Sequence, residues 1–230
     1  MPRSSQVTFN CPCGETFTST THHTVNITLE PRLLYELLAG KLNVAVCPNC
    51  GRASESTLPF IYHDMARGLF AYVHPNPDAD DEDREALLAR LRGVYTEAVT
   101  ESERLTQPQQ SQRASASDDI TPKQTPDPFA EPSAPPMQVI FGIEQLVTLV
   151  DSLLEPEERL GRVALTLPAA ARSAGAARER VLTIARQMAD QLGCFVAAEE
   201  EDGEYTVWIY GPRAQVERLA QALRPSAGSR

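Results

Sequence analysis

Lysine is nearly absent from this chain. Of its 21 basic residues only Lys41 and Lys123 are lysines, and 31 acidic residues leave a net charge of −10. None of the four stretches 1–80, 81–104, 105–137 and 138–230 is net basic. Proteins that hold nucleic acid through its phosphates need a clustered positive surface, so that class of partner is disfavoured. The arginine bias, with abundant alanine, is the pattern of a high-GC bacterial genome. Long apolar runs are missing too. None approaches the ~20 residues of a membrane span. The N-terminal Met1–Ser5 lacks the apolar core of a secretory signal. The expected location is therefore the cytoplasm, where thiols stay reduced. There is no internal repeat.

Cysteine is scarce but its placement is ordered. Four of the five cysteines fall in two tight turns, Cys11-Pro12-Cys13-Gly14 and Cys47-Pro48-Asn49-Cys50-Gly51. An odd count with four members paired in a reducing compartment fits metal binding better than disulfides. Cys11, Cys13, Cys47 and Cys50 supply the four thiolates of a tetrahedral Zn2+ site, and four protein ligands leave no open position, which predicts a structural ion. In an extended chain residues i and i+2 share a side, so Cys11 and Cys13 can face one ion. Cys47 and Cys50 use the ordinary two-residue knuckle. The 33 residues between Cys13 and Cys47 exceed the usual ribbon gap of ~15–20. The ion is expected to close a subdomain that contains a helix.

The residues around the turns set that subdomain. Gln6–Asn10 and Thr16–Leu29 read as strands, Leu33, Leu34, Leu37 and Leu38 form a helical stripe opened by Pro31 and closed by Gly40, and Leu42–Val46 leads into Cys47. Leu58–Tyr62 and Leu69–His74 predict a hairpin through His63–Gly68, and residues 84–105 an amphipathic helix. Gln, Ser, Thr, Asp and Pro dominate 106–137, a composition that buries too little apolar surface to offset its ordering entropy. Beyond it the pattern gives helix Gly142–Leu154, strand Val163–Leu167, helix Ala176–Leu192, strands Cys194–Ala198 and Tyr205–Tyr210 joined at Asp202-Gly203, and a helix after Pro212. The expected fold class is α+β. A zinc-ribbon-like, β-rich domain with helices spans 1–105, a flexible linker 106–137, and a small βαββα layer 138–226.

Phe9–Gly14, Val25-Asn26, the Pro31–Gly40 helix, Leu42-Asn43-Val44, Cys47–Gly51 and Tyr62-His63-Asp64 together resemble the CpXC-domain family of bacterial and archaeal proteins. The resemblance covers about the first 105 residues. The family's two turns are both Cys-Pro-x-Cys; this chain has one of those and one shorter Cys-Pro-Cys. The resemblance implies a zinc-binding domain and no particular activity.

Other candidates have plainer readings. His63 and Asp64 could pair in catalysis and His22 and His23 could hold a second metal, but neighbours in a strand point to opposite faces. They are expected in a turn and on a strand edge. Cys194 is expected to be buried and inert. Trp208 should face away from Val207 and Ile209, into packing. The function expected is a zinc-stabilised binding or adaptor protein with a protein partner. The alternatives are a metal-braced enzyme using His63 and Asp64, or a nucleic-acid-binding zinc ribbon with Arg3, Arg32, Lys41 and Arg52 as its cationic cluster.

Overall fold

The computed structural model describes residues 3–94, 136–166, 175–201 and 204–223. Two units make up the chain, Met1–Pro77 with Pro136–Arg230, and Asp78–Pro135. In the second unit residues 81–94 are helical. Asp80 caps that helix by accepting from the Asp83 N–H at 2.8 Å. The segment 106–137, expected as a linker, lies outside the described residues except for 136 and 137, as does the Asp202-Gly203 tip.

The first unit is α+β, as its periodicities predict. Strands β1 (Arg3–Asn10), β2 (Thr16–Asn26), β5 (Phe60–Asp64), β6 (Leu69–His74) and β7 (Gln138–Phe141) form a mixed sheet in the order β1-β2-β5-β6-β7. A two-stranded ribbon pairs β3 (Val44–Val46) with β4 (Ala53–Glu55). A second sheet, order β8-β10-β9, is antiparallel and built from Leu160–Thr166, Glu204–Pro212 and Phe195–Glu201. Helices α1 (Arg32–Leu38), α2 (Ile143–Leu153), α3 (Gly175–Leu192) and α4 (Arg213–Leu223) complete the unit. The expected βαββα run is therefore present as β8-α3-β9-β10-α4.

Helix α1 is only seven residues long, too short to persist alone. Its packing sustains it. Leu33, Leu34, Tyr35 and Leu37 are buried with Val25, Tyr62, Val73, Leu146 and Val150. Each such aliphatic side chain contributes roughly 1.5–3 kcal/mol on burial. Gly40 stops the helix in the left-handed region (φ 66°), and the Lys41 N–H bonds back to Glu36 O at 2.9 Å.

The boundary expected at residue 138 falls inside the first sheet instead. β7 pairs in parallel with β6, Ala71 opposite Gln138, and Ile140, Leu146, Val150 and Leu154 belong to the same core as α1. The small layer packs on that core as well. Tyr210 is buried in it, with Phe195, Ala197 and Trp208 against it. Val207 and Ile209 point to the other face, where Ala185 and Ala189 of α3 and Leu219 of α4 meet them. Trp208 therefore lies opposite Val207 and Ile209, in packing, as alternation predicts. Gly161 and Gly211 face each other across β8 and β10. A Cβ on Gly161 would come within 2.8 Å of Arg213 Cα, so this glycine lets α4 lie close on the sheet, while at Gly211 the space is filled by Cys194. Polar ties reinforce the packing. Tyr35 Oη donates to Glu158 O at 3.1 Å, and Arg67 bridges Asp64 and Glu158, both at 2.8 Å.

Candidate metal centre

Each cysteine pair occupies the turn of a hairpin. Asn10 pairs with Thr16 across the β1–β2 loop, and Val46 with Ala53 across the β3–β4 loop. The two loops share one hydrogen-bond plan. The first cysteine's N–H donates to the carbonyl just after the glycine, Cys11 to Glu15 at 2.8 Å and Cys47 to Arg52 at 2.9 Å. The glycine N–H returns to the first cysteine's carbonyl at 2.9 Å in both. Gly14 (φ 94°) and Gly51 (φ 72°) both need a left-handed backbone that a side chain would disfavour. The first loop is thus the second with one residue removed between proline and the second cysteine. The extended i, i+2 geometry expected for Cys11 and Cys13 is not what brings them together. They sit in a β-turn closed by the Gly14 N–H, because Pro12 sets φ at its second position.

The four Sγ atoms lie within 4.8 Å of one another. Contacts cross between the loops: Cys11 Sγ to Cys50 Sγ is 3.5 Å and Cys13 Sγ to Cys47 Sγ is 3.7 Å. Sulfurs at ~2.3 Å from one tetrahedral ion stand about 3.8 Å apart, so the spacing fits a thiolate-held metal. Cys11 and Cys47 are buried, while Cys13 and Cys50 are exposed. The Glu15 backbone N–H brings the Cys13 thiol down to about 6. The Cys13 N–H acts the same way on Cys11, but burial and the neighbouring sulfurs outweigh it and push Cys11 up. Four sulfurs this close cannot all ionise unaided; a divalent cation among them removes that conflict.

Asn43 aligns the two loops. It is buried, it alone among the described non-glycine residues has positive φ (58°), and its side chain bonds both backbone groups of His22. Its Oδ1 accepts the His22 N–H at 2.7 Å and its Nδ2 donates to His22 O at 3.0 Å. Its carbonyl accepts from the Ser56 N–H at 2.9 Å. One residue therefore ties β2 to the open end of the β3–β4 ribbon, opposite its cysteine loop. Asn49 adds a donor to the cluster, Nδ2 to Cys13 Sγ at 3.7 Å. Both asparagines lie in motifs that carry the family resemblance, but nothing in the sequence gives these two contacts; a lone asparagine is only a weak left-handed signal.

The family model for CpXC proteins matches residues 9–147. The chain belongs to the CpXC family. No curated protein and no solved structure matches it. The CpXC match runs through both cysteine loops and ends inside α2, so it takes in β7 as the first sheet does.

The other candidate residues of this CpXC protein are dispersed. His63 lies on the outer face of β5, its Nδ1 3.2 Å from Asn26 Nδ2 and its ring edge-on to Phe70. Asp64 is buried on the opposite side, accepting from the Arg67 guanidinium and capping the 3-10 turn Met65–Arg67. The turn begins at Met65, two residues later than expected, so both residues lie in β5 and not in a turn, and the two side chains do not converge. His22 is held below its ordinary range by burial, and its Nδ1 is enclosed without a partner. His23 Nε2 contacts Ser5 Oγ at 2.6 Å, so the two histidines serve different neighbours. Cys194 is buried, with its thiol pushed up by burial to about 11. Lys41 pairs with Glu199 at 2.6 Å and Arg32 with Glu30 at 3.8 Å, which neutralises half of the cationic set considered for nucleic acid. No described helix is long and apolar enough to cross a membrane.

Proposed function

We propose that this CpXC protein is a cytoplasmic, zinc-stabilised binding or adaptor protein in which one Zn2+ joins the two hairpin loops through Cys11, Cys13, Cys47 and Cys50. The observation that carries this reading is the four-sulfur cluster itself, with every Sγ within 4.8 Å of the others. Thiolates select soft or borderline ions, and four of them without a histidine or carboxylate suit a closed structural zinc. Among the described residues no His, Asp or Glu joins the cluster, so the ligand set offers no water-activating position. The ion's role is then to hold a recognition scaffold. A protein is the partner proposed, because the acidic balance opposes phosphate binding.

Elemental analysis of the purified full chain tests the metal: one zinc per chain is expected, falling to none in the Cys11→Ser/Cys50→Ser double variant. Cobalt substitution should give intense sulfur-to-cobalt charge-transfer absorption. Iron, or no metal, in protein purified without chelator would refute the reading. Affinity capture of partners by the metal-loaded and the chelated chain tests the scaffold role. A partner held equally by both would separate binding from the metal.

A further inference from the structure

We infer that the cysteine cluster is also an oxidation site that takes peroxide and converts the metal staple into two disulfides joining opposite loops. This rests on the zinc reading for its metal-release step, while the pairing rests on the sulfur geometry alone. Two sulfur contacts each join one exposed and one buried cysteine from different hairpins, Cys13 with Cys47 at 3.7 Å and Cys50 with Cys11 at 3.5 Å. Solvent reaches Cys13 and Cys50 first. A peroxide oxygen adds to the exposed thiolate, the O–O bond breaks, and a sulfenic acid forms with release of hydroxide. The buried thiolate across the cluster then attacks that sulfur, forming the S–S bond and expelling a second hydroxide. Each disulfide consumes one peroxide, which takes up the two electrons the two sulfurs lose. When both pairs have reacted, no thiolate is left and the divalent ion leaves.

The crossed pairing has a structural consequence that pairing within each loop would not have. Cys11–Cys50 and Cys13–Cys47 span 39 and 34 residues and bind the β1–β2 loop to the β3–β4 loop. The same two hairpins stay tied after the ion has gone. Cys11–Cys13 and Cys47–Cys50 bonds would leave each loop closed on itself and the two hairpins free to part. Oxidation thus exchanges one cross-link for another and keeps the fold.

The experiment uses the full chain, reduced and assayed for metal first. Hydrogen peroxide is added stepwise, released zinc is followed with a chelating dye, and disulfides are mapped by mass spectrometry of proteolytic peptides. Zinc release in step with Cys11–Cys50 and Cys13–Cys47 peptides is expected, with Cys194 remaining a thiol. The melting temperature of the oxidised, metal-free protein should stay near that of the loaded one, and should fall when a dithiol reductant and chelator are added together. Loop-internal pairs, or sulfinic and sulfonic acids in place of disulfides, would overturn the inference while leaving a measured zinc content intact. A chain that carries no zinc refutes the metal reading instead, and the disulfide map of its peroxide-treated form still decides the pairing.

Discussion

If the four cysteines hold the proposed zinc, removing it should unfasten one arm of the molecule and leave the rest standing. β5 pairs with β2 only over Thr24–Asn26, so β1 and the first part of β2 run beyond the sheet. No residue of Arg3–Asn10 or Thr16–Thr20 is buried; the first buried side chain of that arm is Cys11. An isolated two-stranded hairpin is at best marginal in water. In the proposed zinc form the ion and its sulfurs would serve as that arm's core. Structural zinc contributes about 10–16 kcal/mol in zinc-finger peptides. If only about 4 kcal/mol of that acts on opening of the two loops, chelation accelerates their amide exchange about a thousandfold, at ~1.4 kcal/mol per decade. Hydrogen–deuterium exchange of the intact chain, with and without a high-affinity zinc chelator, reads this directly. Protection should vanish over residues 6–18 and 44–55. It should persist over Phe60–Asp64, Leu69–His74 and the three-stranded sheet, whose cores contain none of the four cysteines. Unchanged exchange in the loops would refute the reasoning, and so would loss of protection throughout the first unit.

Three further outcomes follow from packing and charge. Asp64→Ala strips a buried carboxylate from Arg67, leaving only Glu158 to face the guanidinium; a loss of about 3 kcal/mol is expected in urea denaturation. Gly211→Ala places a methyl group against Cys194 Sγ and should cost about 1–3 kcal/mol, whereas Gly175→Ala, which meets nothing within 4 Å, should be neutral or better. Burial raises the Glu36 carboxyl to about 7. Its folded value then exceeds its unfolded one near 4.5, so the folded state binds the extra proton between those limits. Stability should fall as pH rises from about 4.5 to 7 on this account. Glu36→Gln should flatten that slope in melting curves and raise stability at neutral pH by up to about 3 kcal/mol.

What could be read from the chain alone was what depends on neighbours in sequence. Proline, cysteine and glycine at fixed offsets announce a knuckle. Leu33, Leu34 and Leu37 announce a buried helical face, and the alternation around Trp208 assigned its side of the sheet. The small βαββα layer was legible for the same reason, since each element carries its own period and stop. Long-range pairing left no such mark. β7 is four residues of Gln-Val-Ile-Phe whose partner lies across the whole second unit, so the boundary was drawn in front of it. β4 carries no strand signal, because Ala53–Glu55 has neither bulk nor alternation to show. Asn43 was legible as part of Leu42-Asn43-Val44 but its role was not, because that depends on meeting the backbone of His22, a property of the fold and not of the local chain.

The late arrival of β7 bears on how the molecule is made. During synthesis β6 emerges first, and its parallel partner follows only after residues 75–137 have been added. At about 5–20 residues per second that interval is roughly 3–13 s. Throughout it the nascent sheet presents an open edge at β6, and the core lacks Ile140, Leu146, Val150 and Leu154. An unpaired edge beside unfilled apolar surface invites pairing with another chain. Between those two moments the nascent protein depends on chaperone protection or on low local concentration, and a translational pause upstream of Gln138 would lengthen its exposure.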